Sequence, residues 1–186
     1  LRRGTTPSPE EALVERREVF SGSFLRLVVD RVRLPDGSLS EREVVFRPGA
    51  ATVLPILKDG RVLLVEQHRH AVGKRLWEIP AGKLEPDEEP LACARRELRE
   101  ETGHEAAEWE RLSAFYTSPG FADERMTLFL ARGASPVTTS LDREISSCRA
   151  FSRDEVRRLI VRGEIEDAKT ILALGILCLR EEGLRA

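Results

Sequence analysis

Three glutamates, Glu97, Glu100 and Glu101, crowd into the run ARRELREETGH (94–104), with arginines packed between them. Residues three and four apart are neighbours on a helix, so these carboxylates lie along one face. Like charges at that spacing cost an isolated helix roughly 0.2–0.5 kcal/mol per pair. A plain surface helix gains nothing from such a cluster, whereas a hard divalent cation takes oxygen ligands and favours it. Arg96 and Glu100 are four apart and can pair, which would hold the carboxylates in place. Alone, the run RRELREE is an ordinary solvated face, as most charged runs are. The loop before it, EIPAGKLEPDEE (78–89), changes the balance, because a plain surface helix has no need of it. Glycine at position 82 lets the backbone approach a bound ion closely. The chemistry that fits is binding of a divalent cation against a negatively charged ligand. Bound cations offset such charge.

The spacing of these residues is G-x5-E-x7-R-E-[apolar]-x-E-E-x-G, on Gly82, Glu88, Arg96, Glu97, Leu98, Glu100, Glu101 and Gly103. It resembles the Nudix box, the signature of hydrolases that split a diphosphate attached to another moiety. The final slot of the box, usually aliphatic, holds His104 here. The resemblance implies Mg²⁺, with Mn²⁺ as a substitute, held by the Ala81 carbonyl, Glu97 and Glu101, with Glu100 completing the cluster. Arg96 then braces the carboxylates. Downstream, Ser118-Pro119-Gly120 puts Pro119 fifteen residues past His104. A proline at about this distance resembles the Nudix subgroup that cleaves ADP-ribose. The segments SGSFLRLVVDRVRLPDG, RPGAATVLPILKDGRVLLVEQHR, LWEIPAGKLE and GEIEDAKTILAL are similar to that subgroup as well, so the likeness spans Phe20 to Leu179.

What this likeness implies can be carried over position by position. Arg69 would contact the diphosphate, where a planar guanidinium grips phosphate in a bidentate way. Ser118 and Glu124 would line the ribose side, Phe24 would stack on adenine, and Arg42 would enter the pocket from a partner subunit. Glu144, in the loop after the strand that Ser118-Pro119-Gly120 introduces, is the expected general base, with Glu100 or Glu101 as alternatives. A glutamate is already ionised at neutral pH, so this role needs geometry more than pKa tuning. The implied reaction is Mg²⁺-dependent hydrolysis of ADP-ribose to AMP and ribose 5-phosphate by a homodimer. One alternative is a diphosphatase of broader range, acting on ADP-glucose, UDP-glucose or GDP-mannose. Another is a sensor that binds ADP-ribose without cleaving it, although such sensors usually lose a metal glutamate and this chain keeps them all.

These residues need a framework. A chain of 186 residues, 41% apolar and 33% charged, has enough apolar material for a buried core. Thirty basic and 32 acidic residues give no charge bias toward nucleic acid. Cys93, Cys148 and Cys178 are scattered without C-x-x-C pairing, which argues against zinc or a disulfide framework and suits a reducing cytoplasm. The longest apolar run, ILALGILCL (171–179), is too short for a bilayer, and the N-terminus lacks the apolar core of a signal peptide. His68, His70 and His104 form no ligand set.

Residues 1–19 read as a lead-in and 20–47 as an antiparallel β segment, which the resemblance implies is exchanged between subunits. Residues 48–186 read as the hydrolase domain. FLRLVVDRVRL and LSEREVVF flank a PDGS turn, and ATVLPIL and RVLLVEQ flank KDG, two hairpins with glycine in the turn. Pro90 to Thr102 reads as a helix with proline in its first turn and Gly103 past its end. Leu91, Ala94 and Leu98 would form its buried stripe, with the glutamates facing elsewhere. RMTLFLA and SCRAF read as strands, RDEVRRLIV as a helix, and Asp167 as the cap of a last apolar helix. The fold class is α/β: the resemblance implies the Nudix α/β/α sandwich with a mixed sheet and the added N-terminal antiparallel segment.

Overall fold

The computed structural model describes residues 10–137 and 142–183. It has two units: Leu1–Pro48 with Tyr116–Arg125, and Gly49–Phe115 with Met126–Ala186.

In the first unit, β1 (Ala12–Ser21), β2 (Arg26–Arg33) and β3 (Leu39–Phe46) form an antiparallel sheet in that order. β2 and β3 are the expected hairpin, closed at Gly37 with φ of 85°. The expected lead-in is shorter than residues 1–19, because β1 begins at Ala12. Every residue of β1 is exposed, so no alternation of burial marks it in the sequence. It is held by its ladder to β2 and by Arg16, whose Nε and Nη2 each donate at 2.6 Å to the buried Asp30 carboxylate. The loop after Tyr116 joins this unit through a bridge from Ala122 to Val45 and a 2.9 Å hydrogen bond from Arg47 N to Asp123.

The second unit carries β4 (Ala50–Leu57), β5 (Val62–Arg69), β6 (Lys74–Glu78), β7 (Ala81–Lys83) and α1 (Pro90–Thr102). Then come β8 (His104–Glu105), β9 (Glu108–Tyr116), β10 (Arg125–Pro136), β11 (Ile145–Phe151), α2 (Arg153–Val161) and α3 (Ala168–Glu181). Its sheet runs β11-β5-β4-β10-β8, with β6 beside β5, β7 beside β4 and β9 beside β10. β4 and β10 are parallel and the other described ladders of this sheet antiparallel, so the sheet is mixed. Strand alternation divides the core. Ala51, Val53, Phe129 and Ala131 pack with Cys93, Ala94 and Leu98 of α1. Leu54, Ile56, Leu128 and Leu130 pack with Val156 of α2 and Ala173, Leu174 and Leu177 of α3. The result is the expected α/β/α sandwich.

Helix α1 spans the expected residues, and Gly103 closes it with φ of 70°. Its inward face differs from the expectation. Cys93, Ala94 and Leu98 are buried, Leu91 is half-buried, and Glu97 and Glu101 are buried with them. The glutamates do not face away because one edge of α1 lies against β7, where Gly82 leaves room for a carboxylate. Among the described residues no helix is long and apolar enough to cross a membrane.

Candidate active site

The site is built where the short β7 meets α1. Pro80 O accepts from Thr52 Oγ1 and Val53 N, both at 3.0 Å, which fixes the backbone just before β7. β7 then pairs with β4, Ala81 opposite Thr52 and Gly82 opposite Ala51. Against this strand rests the Glu97 carboxylate: a Cβ built at Gly82 would lie 1.8 Å from its Oε1. One turn on, Glu101 Oε2 accepts from Ala81 N at 3.1 Å. Ala81, Glu97 and Glu101, three of the expected metal residues, therefore meet.

Glu97 and Glu101 are each 8% exposed. Burial, reinforced by the charge of Glu97, pushes the Glu101 carboxyl up to about 8. Burial raises Glu97 too, against the pull of Arg96. Buried carboxylates side by side are stable only if they bind a proton or gain a cation. Among the described residues, no three His, Cys, Asp or Glu side chains are gathered to hold a metal. Mg²⁺ keeps several waters and accepts backbone carbonyls, so the donors present fit it.

Arg96 is the brace. Its Nε and Nη2 donate to the two oxygens of Glu88 at 3.0 Å each, and Nη1 donates to Glu97 at 2.5 Å and Glu100 at 3.1 Å. The guanidinium holds Glu88 down to about 2. Loop and helix are thus tied through one side chain. Glu100, its side chain 48% exposed, is bound to this brace rather than buried beside β7. His104, in the usually aliphatic slot, sets Nδ1 2.7 Å from the Thr102 carbonyl oxygen.

Glu144 stands at the entry to β11, where its Oε2 accepts from Gln67 Nε2 at 2.9 Å. Asp142 N donates to Glu100 O at 2.8 Å, tying this turn to the end of α1. Residues 138–141 of the expected catalytic loop lie outside the described residues. Arg69, at the end of β5, donates from Nε (2.8 Å) and Nη2 (2.6 Å) to Glu78, which is 1% exposed. Burial pushes the Glu78 carboxyl up, but Arg69 and Lys169 more than offset it, and it ends below its ordinary value.

Sequence reasoning missed Glu78 and Lys169. The available signal was a lone acid at the end of the apolar stretch LWEIP and a lone lysine at the start of an apolar helix.

Phe24, Arg42, Ser118 and Glu124 belong to the first unit. The Phe24 ring is 47% exposed rather than packed in a core. Arg47, also missed, connects two of the expected residues: its guanidinium lies 5.6 Å over the Phe24 ring and pairs with Glu124 at 3.2 Å. Glu124 further accepts from Thr117 Oγ1 at 2.8 Å. The Ser118 carbonyl accepts from Ala122 N at 2.8 Å, closing the Ser-Pro-Gly turn. Arg42 donates to Ser40 at 2.7 Å and to Glu11 at 2.6 Å.

Comparison with known proteins agrees with the box. The NUDIX domain family matches residues 46–174, and the nucleoside diphosphate sugar hydrolase N-terminal domain matches residues 11–45, starting one residue before β1. The chain is 42% identical over 175 residues to the methanol dehydrogenase activator of Bacillus methanolicus, covering 92% of this chain and 95% of that one. It is 41% identical over 177 residues to the ADP-ribose pyrophosphatase of Bacillus subtilis, covering 94% and 96%. A crystal structure of an ADP compounds hydrolase superposes with a TM-score of 0.81 at 18% identity, covering 97% of this chain and 99% of that one, and so shares its fold. With matches of this extent, the chain belongs to the Nudix family of hydrolases.

Proposed function

We propose that this enzyme hydrolyses ADP-ribose to AMP and ribose 5-phosphate. The observation that carries the reading is the buried Glu97–Glu101 pair against Ala81 and Gly82. Relatives named ADP-ribose pyrophosphatase and the Ser118-Pro119-Gly120 turn direct it to this substrate. Nudix hydrolases in general use divalent metals, and we assign Mg²⁺ here, with Mn²⁺ as a substitute. The Ala81 carbonyl, Glu97 and Glu101 would hold it, with Glu100 at the margin, and it supplies charge neutralisation at the diphosphate. Arg96 keeps the carboxylates in position. Arg69 presents its remaining N–H groups to the diphosphate. Glu144 orients a water and takes its proton as the water oxygen bonds to phosphorus and the bridging P–O bond breaks.

In this reading Ser118 and Glu124 contact the ribose and Phe24 stacks on adenine. Arg42 enters from the partner in a homodimer. Three free cysteines without C-x-x-C pairing support a reducing cytoplasm as its compartment in this reading.

A broader nucleotide-sugar diphosphatase is the second reading, favoured by the match of residues 11–45 to a nucleoside diphosphate sugar hydrolase N-terminal domain. Turnover of ADP-ribose, ADP-glucose, UDP-glucose and GDP-mannose in ¹⁸O water separates the two. ADP-ribose should lead by tenfold or more in kcat/KM, with label in a single product. Glu144→Gln should lower kcat by about 10²–10⁴ with KM little changed. Equal turnover across the panel would overturn the first reading, and an unchanged kcat would remove Glu144 from its role.

A further inference from the structure

Arg69 does not stand free at the end of β5. Two of its five N–H donors are taken by Glu78, one from Nε and one from Nη2. Nη1 and the second Nη2 hydrogen carry no hydrogen bond among the described residues, so one edge of the guanidinium is anchored and the other presented. Glu78 is in turn gripped by Lys169, whose Nζ contacts the same Oε2 that Arg69 Nη2 meets. Lys169 sits in the first turn of α3, where Asp167 accepts from its Nζ at 2.9 Å and caps the helix by accepting from Thr170 N at 2.9 Å. Thr170 Oγ1 accepts from Ile79 N at 2.8 Å, so the same turn also fixes the backbone beyond Glu78.

A buried ion network of this kind is weak evidence for stability, since apolar residues of similar volume often serve as well or better. What it supplies is orientation. Glu78 held by Arg69 alone could turn with that long side chain, whereas a carboxylate clamped from below by α3 cannot. We propose that Lys169 is a positioning residue for Arg69: acting through Glu78, it locks the guanidinium with its unpaired edge toward the diphosphate before substrate arrives. This rests on the reading above that Arg69 contacts the diphosphate. Preorganised donors lose less freedom on binding, so the effect falls on substrate affinity before it falls on the chemical step.

Two measurements test it. Steady-state kinetics with ADP-ribose compare wild type, Lys169→Met, Arg69→Ala and the double variant. Lys169→Met should raise KM tenfold or more with kcat within about threefold of wild type. In the Arg69→Ala background it should add less than twofold, because its effect passes through Arg69. An unchanged KM, or an equal loss in both backgrounds, makes Lys169 merely structural and overturns the proposal.

The second measurement needs no Lys169 variant, and so survives a failure of Lys169→Met to fold. In ¹⁵N spectra of the wild-type enzyme, with Arg69→Lys giving the assignment, the Arg69 Nε–H should exchange slowly with water. It should persist when the α,β-methylene analogue of ADP-ribose binds. Fast exchange, or loss of the signal on binding, overturns the proposal. If wild type fails to cleave ADP-ribose, the substrate assignment falls, while the Nε–H signal still decides whether Arg69 is locked.

Discussion

At Gly82 a single hydrogen in place of a methyl group decides whether Glu97 can occupy its place. The obstructing atoms belong to a side chain and not to backbone, so Gly82→Ala should leave the fold standing while displacing Glu97 from β7. We expect kcat to fall at least a hundredfold with a loss of stability of about 1 kcal/mol or less, read from kinetics and urea melts side by side. Glu101 offers a second measurement. Folding raises its pKa, so the folded chain holds an extra proton between about pH 4.3 and about pH 8. The stability this contributes is full below that window and is lost as pH rises through it, by at most about 1.4 kcal/mol per pH unit. The metal-free protein should therefore show a Tm that declines from about pH 5 to about pH 8. Saturating Mg²⁺ or Glu101→Gln should flatten the decline, and Glu101→Gln should abolish turnover. A metal-free Tm that is level across this range would show that Glu101 titrates normally.

Among the elements, α3 does more than cover the sheet. Its first turn holds Asp167, Lys169 and Thr170, and these fasten Glu78 and Ile79 just ahead of Ala81. Asp167→Ala removes the cap of α3, which alone costs about 0.5–2 kcal/mol, and also releases Lys169. Urea melts should place the loss at the upper end of that range, and at a value above that of Ser152→Ala, which removes only the cap of α2. Equal losses would mean that the α3 cap has no part in fastening β6 to β7. Much at this scale is legible in residues 24–57 and 90–102, where alternation, turn glycines and caps agree with the elements formed. β1 escapes such reading because it buries nothing of its own, and β6, β7 and β8 are too short to set up a periodicity. The inward turn of Glu97 and Glu101 also escapes it, because a helix sequence does not show that a glycine strand lies opposite.

For the whole molecule, the testable quantity is the number of chains. β1 is the terminal strand of its sheet and exposes Leu13, Val14, Val19 and Phe20. An exposed edge strand with apolar side chains invites pairing with another chain. Sedimentation equilibrium should give a dimer. Val14→Asp with Val19→Asp should give a folded monomer whose kcat/KM is at least tenfold lower, because the Arg42 proposed to come from the partner is gone. A fully active monomer would refute the proposed exchange of Arg42 between subunits.

The box, its helix and the hairpins β2–β3 and β4–β5 were determined by the sequence alone, because each rests on short-range spacing: periodicity, turn residues, and carboxylates three and four apart. Which carboxylates are buried, that Arg96 also grips Glu88 in the loop, and that Arg69 is anchored to a Glu78 held in turn by Lys169 were decided only by the tertiary structure. Those contacts join residues up to 91 positions apart. Local pattern carries no information at that range, and only the packing of α1 and α3 on opposite faces of the sheet creates it.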